Sequence, residues 1–191
     1  MPKLAAERLT LDAKCGFTLV EFLIVLGILA LVVGSSLLFL TSVFKGSNQA
    51  NVTTEAKQNG QVVLDLLEKQ IRNAIFAQSP SAGYIKLTGS SEDPLHIKCF
   101  PSTASTNGWI GMVASGADSP FDSSFVPLTN KDDTISGVDI QNCDFRVIEA
   151  TPSLPAIVSI SFGVNQGIAA PSRQDFLANV AFQTTISLRK Y

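Results

Sequence analysis

Apolar and polar positions alternate on three different periods along this chain, and each period predicts a different element. From Phe22 to Phe44 there is no charged residue at all. Those 23 residues would span about 34 Å as a helix, enough to cross a hydrocarbon core of roughly 30 Å, and predict a single transmembrane helix. From Ser47 to Gln78 the pattern changes. Val52, Ala56, Val63, Leu64, Leu67, Ile71, Ala74 and Ile75 recur at intervals of mostly three and four. Glu55, Lys57, Asp65, Glu68, Lys69 and Arg72 fall mostly between them, which is the signature of an amphipathic helix. Between the two runs only Gly46 could force a stop, so one continuous helix is expected, bent near Gly46 or Asn59-Gly60 and ended by Pro80.

Beyond Pro80 the period becomes two. Short runs at Tyr84–Leu87, Leu95–Phe100, Trp109–Val113, Val138–Ile148, Ala156–Val164 and Val180–Arg189 predict strands. Val158, Ile160 and Phe162 share one face, as do Phe182, Thr184, Ile186 and Leu188. The stretches Ser102–Gly108, Ala114–Asp133 and Gly163–Asp175 are rich in Ser, Gly, Pro, Asn and Asp and read as loops. The exposed apolar face of the second helix needs a cover, so the expected fold is α+β, with the helix packed on an antiparallel β-sheet.

Composition adds little to this except location. Hydrophobic residues make up 46% of the chain and charged ones 16%, and the excess apolarity lies before Lys45. The roughly 145 residues that follow suffice for one core but not comfortably for two. The formal charge of −2 is no nucleic-acid footprint. Lys3, Arg8 and Lys14 precede the apolar run while Lys45 alone follows closely, so the positive-inside rule keeps the N-terminus cytoplasmic and places the β-rich head outside.

The apolar run is too long for the core of a cleavable secretory signal, which spans about 7–15 residues and is followed by a small-residue cleavage site. A lipoprotein signal fails as well, because Cys15 precedes the run. The order Lys14-Cys15-Gly16-Phe17-Thr18-Leu19-Val20-Glu21 resembles instead the class III leader of type IV prepilins and type II secretion pseudopilins. The closing run Phe182–Arg189 and the Leu64–Ile75 helix are similar to those of the larger minor pseudopilins and minor pilins.

That resemblance implies a pilin-like fold and a division into a leader (1–16), a transmembrane and assembly helix (17–44), an amphipathic helix of the head (45–79) and an extracytoplasmic β-rich head (80–191). It implies cleavage between Gly16 and Phe17 by a membrane prepilin peptidase, and N-methylation of Phe17. It implies storage among membrane lipid, single-pass in the cytoplasmic membrane, before a membrane platform builds the subunit into a filament with other pilin or pseudopilin subunits. Glu21 takes the family's fifth mature position. A carboxylate in a membrane helix costs on the order of 2.5–3.5 kcal/mol at the helix centre, but Glu21 lies only about 6 Å inside the new helix start, near interfacial water and the positive end of the helix dipole. In a filament it can meet the Phe17 ammonium of a neighbour, an ion pair that fixes axial register. Gly27, Gly34, Ser35 and Ser36 either let helices approach closely or loosen this one.

Loss of the leader removes Cys15 and takes the side-chain charge to −3. Two cysteines remain, Cys99 and Cys143. An even count in an oxidising compartment points to a disulfide, with two buried free thiols as the other account. Each sits on the inward phase of its strand, Cys99 with Ile97 and Cys143 with Phe145 and Val147.

Catalytic chemistry is scarce. His96 is the only histidine, so zinc-hydrolase spacing and a Ser-His-Asp triad are hard to build, and an exposed strand histidine is expected. Ser42-Val43-Phe44-Lys45 matches a loose Ser-x-x-Lys pattern at the membrane exit and carries no weight. Asp118, Asp122, Asp132 and Asp133 offer oxygen ligands of the kind calcium takes, in no EF-hand spacing, and read as solvated loop carboxylates. Asn51-Val52-Thr53 fits a glycosylation sequon, of little weight in a prepilin-processing organism. The expectation is a structural subunit, not an enzyme, with no cofactor and no metal, of a type IV pilus or type II secretion pseudopilus. The alternative is a filament-tip binding module, an adhesin or DNA-uptake minor pilin, and a membrane-anchored enzyme ranks third. Glu21 argues against the tip-subunit class that lacks that carboxylate, and Trp109 among neutral residues does not supply the basic aromatic surface that DNA would need.

Overall fold

The computed structural model describes residues 18–151, 154–173 and 176–188. Its contacts divide the chain between Phe44 and Lys45. One helix, α1 (Leu19–Asn73), runs through that boundary. In the first unit, every residue from Thr18 to Phe44 is exposed, and the helix is long and apolar enough there to cross a membrane.

In the second unit α1 buries Ala56, Gly60, Val63, Leu64, Leu67 and Ile71, the three-and-four spacing read from the sequence. The helix passes through Asn59-Gly60 without a break. Gly60 serves close approach there, because a Cβ at this position would run into the ring of Phe182.

The helix stops earlier than Pro80 would dictate. Ala74 is already outside it, and the Ile75 amide donates to the Thr88 carbonyl at 2.8 Å, so backbone pairing with a strand wins over another helical turn. The segment expected to finish the helix is instead β1 (Phe76–Ser81). Pro80 is tolerated there because β1 is an edge strand whose register shifts between Gln78 and Ser81.

Two antiparallel sheets cover the helix where the sequence pattern predicts one. β1, β2 (Tyr84–Thr88), β3 (Leu95–Phe100), β4 (Trp109–Ala114) and β5 (Val126–Pro127) form a meander in chain order. β6 (Val138–Ile148), β7 (Ile157–Gln166) and β8 (Asn179–Ser187) form a second. The fold is therefore α+β, one long N-terminal helix on antiparallel sheets. β5 lies inside a predicted loop, too short for alternation to reveal. A single core joins the layers: Leu67 and Ile71 from the helix, Ile85, Ile97 and Ile110 from the first sheet, and Phe145, Val158, Ile160, Phe162 and Ile186 from the second.

In β6 the inward phase changes midway. Val138 and Ile140 are buried, then Phe145, because a bulge between Gln141 and Asp144 inserts one residue. Asn142 takes the left-handed conformation at φ 53°, which asparagine tolerates better than most residues. The bulge brings Cys143 to the side of β6 that faces β3, where it forms a disulfide with Cys99 across a Cα separation of 6.3 Å and ties the two sheets together.

Alternation in β3 holds, but the outer face is not open. Tyr84, Trp109 and Phe125 form a second small core there with Phe100 and Val113. The loop before β5 is laid across it: Lys86 pairs with Asp118 at 2.7 Å, Lys98 with Asp122 at 2.6 Å, and the Trp109 ring, Phe125 and Phe100 close over the space left by the missing side chain of Gly111. His96 is consequently buried completely rather than exposed. Its Nδ1 lies 2.6 Å from the Tyr84 hydroxyl and its Nε2 3.1 Å from the Ser115 carbonyl. A carbonyl only accepts, so Nε2 carries the proton and Nδ1 accepts from Tyr84. Burial pushes the imidazole pKa below its ordinary value and the Tyr84 phenol above its own.

Candidate functional site

Of the candidate residues read from the motif, Glu21 lies in the first turn of α1. Thr18 precedes the first helical residue, and its Oγ1 accepts the Glu21 N–H at 3.2 Å while its carbonyl accepts the Phe22 N–H at 3.2 Å. Thr18 is thus the N-cap and Glu21 the third helical residue, the spacing of a capping box. Thr-x-x-Glu was present in the sequence as a start signal, and it explains why the helix begins at Leu19. Glu21 stands exposed in the first turn, where the unpaired N–H groups and the helix dipole favour a negative charge. Gly16 and Phe17, the expected cleavage and methylation positions, lie outside the described residues.

Farther along the apolar segment, hydroxyls return to their own helix. Ser35 and Ser36 both donate to the Val32 carbonyl, at 2.9 and 2.8 Å, and Thr41 donates to Leu38 at 2.9 Å. These groups need no water, the condition a polar side chain must meet in hydrocarbon. Glu21 is the one ionisable residue of the segment from Thr18 to Phe44.

Residues 11–37 match the family model of the prokaryotic N-terminal methylation motif. The chain carries that motif. The match takes in Gly16, Phe17, Thr18 and Glu21 and stops seven residues short of Phe44. Proteins with this motif are cleaved by prepilin peptidase and assemble with other pilin subunits. No curated protein and no solved structure matches the chain.

The remaining candidates are placed elsewhere. Cys99 and Cys143 are joined, far from the motif in sequence. Of the four loop aspartates, Asp118 is held by Lys86, which keeps its carboxyl below the usual range, and Asp122 by Lys98. Asp133 accepts the amides of Ile135 and Ser136, an Asx turn. Among the described residues no three His, Cys, Asp or Glu side chains converge on a metal position. Trp109 is buried beneath Lys131, with Phe100 stacked on it at 3.9 Å, so it offers no face to a nucleic-acid base.

Proposed function

We propose that this chain is a structural minor pilin or pseudopilin subunit, stored in the cytoplasmic membrane with its head outside, cut between Gly16 and Phe17, methylated on Phe17, and built into a type IV pilus or type II secretion pseudopilus. The observation that carries the proposal is Glu21, a lone carboxylate in the capped first turn of an apolar helix, inside a methylation motif and four residues from the new amine. Nothing in the described monomer pairs with it in the hydrogen bonds and ion pairs of its side chain. A carboxylate kept in such a segment against its desolvation cost has its use where another subunit brings a cation, and the Phe17 ammonium of a neighbour is that cation.

Mass spectrometry of the protein extracted from membranes tests the first step. With the peptidase present, the N-terminus is expected to be methylated Phe17. An intact Met1 form in peptidase-positive cells would overturn the assignment.

A further inference from the structure

Among the described residues the two sheets have four edge strands, and three carry protection against pairing with another chain. β1 contains Pro80 and an irregular register. β5 is two residues long and ends on Pro127. β6 is bulged, and its outer side is already engaged: the Ile140 amide donates to the Gly108 carbonyl at 2.9 Å, the Ser79 hydroxyl donates to the Phe145 carbonyl at 3.4 Å, and Cys143 is tied to Cys99. These are the devices by which proteins blunt a sheet edge.

β8 has none of them. Its nine residues, Asn179–Ser187, include no charge, proline or glycine, and they pair with β7 in unbroken register. The Leu188 amide donates to Ala156 on the β7 side, so by alternation the N–H and C=O groups of Ala181, Gln183 and Thr185 point away from β7. On the helix side Val180, Phe182 and Thr184 are only half buried, leaving apolar surface at the border that one more strand would cover.

Resting on the filament reading above, we infer that β8 is a strand-addition site, and that its occupant is an extended, uncharged segment of another motif-bearing subunit, with apolar residues on the helix-facing phase. Among the described residues this row of backbone donors and acceptors has no partner, and extended backbone is what pairs with such a row, which fixes the class of ligand. A second copy fits poorly. β8 runs in the direction of α1, with Phe182 at Gly60 and Thr184 donating to Glu68 at 2.7 Å. Two-fold pairing of identical edges is antiparallel and turns the head portions of the two copies in opposite directions, which like subunits of a polar filament do not do.

The test is backbone hydrogen exchange on the full-length protein, alone in nanodiscs and in complexes with each of the other methylation-motif subunits of its own organism, co-expressed one at a time. Ala181, Gln183 and Thr185 amides are expected to exchange at least tenfold more slowly in one complex. Thr185→Pro, which deletes an outward N–H and leaves the β7 ladder whole, is expected to lower recovery of that complex about tenfold at unchanged membrane level and processing, while Thr185→Val retains it. A complex that forms with β8 exchanging as in the free protein overturns the strand-addition site and leaves the filament reading standing. Protection that arises when this chain is concentrated alone assigns the edge to a second copy and overturns the proposed partner. Absence of processing and of any complex overturns both readings.

Discussion

Phe182 of β8 occupies the space where a side chain at Gly60 would stand. The ring is held from behind by Phe162, stacked at 5.4 Å with an interplanar angle of 19°, so the helix and the second sheet meet where a missing Cβ allows it.

Gly60→Ala therefore pits two effects against each other. Alanine favours the helix by about 1 kcal/mol, while overpacking of a core contact costs about 1–3 kcal/mol. The net expected outcome is a loss of stability, larger for Gly60→Val. In a Phe182→Ala background the clash is gone, and Gly60→Ala is expected to stabilise. Denaturant melts of the four proteins in this cycle check the change of sign.

Reduction of the Cys99–Cys143 bond is expected to lower the melting temperature of the protein. The bond joins residues 44 apart in sequence, and closing a loop of that size contributes roughly 3–4 kcal/mol in the chain-entropy model. Thermal melts with and without reductant read the effect. Equal melting of a protein shown to be oxidised at the outset would contradict the tie between the sheets.

Acid should weaken the outer face of the first sheet. His96 has a folded-state pKa lowered by burial from 6.5. As pH falls below about 6.5 the unfolded chain takes up a proton that the folded one refuses, so stability present at neutral pH declines until the folded-state pKa is reached. Asp118, also lowered, adds a loss of the same sign nearer pH 4. The check is melting temperature against pH between 7.5 and 5, which should fall for the parent and flatten in His96→Gln, whatever that variant costs at neutral pH.

The long helix, its apolar and amphipathic halves and a strand such as β7 are legible because each follows one pattern over many residues. β1 is not. Ala74 and Ile75 continue the helical spacing, Pro80 looks like a helix stop, and an edge strand with one buried residue shows no alternation. Gly60 reads in the sequence as a place for a bend, and only the position of Phe182, more than a hundred residues away, makes it a close contact in an unbroken helix. His96 was misplaced for the same kind of reason: the phase of β3 is visible locally, but the loop that covers its outer face is brought there by Lys86, Lys98 and Gly111. The division into two sheets depends on pairings between distant segments. At the N-terminus the signal for the helix start is local: Thr18 and Glu21 stand three residues apart, and the Glu21 amide donates to the Thr18 hydroxyl.

Glu21→Ala is expected to leave insertion and folding of the head intact and to impair incorporation into the filament. Removing the carboxylate deletes the one costly group of the membrane segment, which makes insertion easier. The Thr18 cap persists, because Thr18 accepts from the backbone amide of residue 21 and not from its side chain. The head's core begins at Ala56, 35 residues further along the sequence than Glu21. The filament, by contrast, loses the partner of a neighbour's Phe17 ammonium, and deleting one member of a buried ion pair costs on the order of 3–5 kcal/mol. Glu21→Gln should fail in the same way, since the amide keeps the size and loses the charge. The measurement is co-assembly with the other pilin subunits, read beside the membrane level of each variant. Normal levels with normal assembly would remove the ion-pair role, and depleted levels would move the need for Glu21 from assembly to biogenesis.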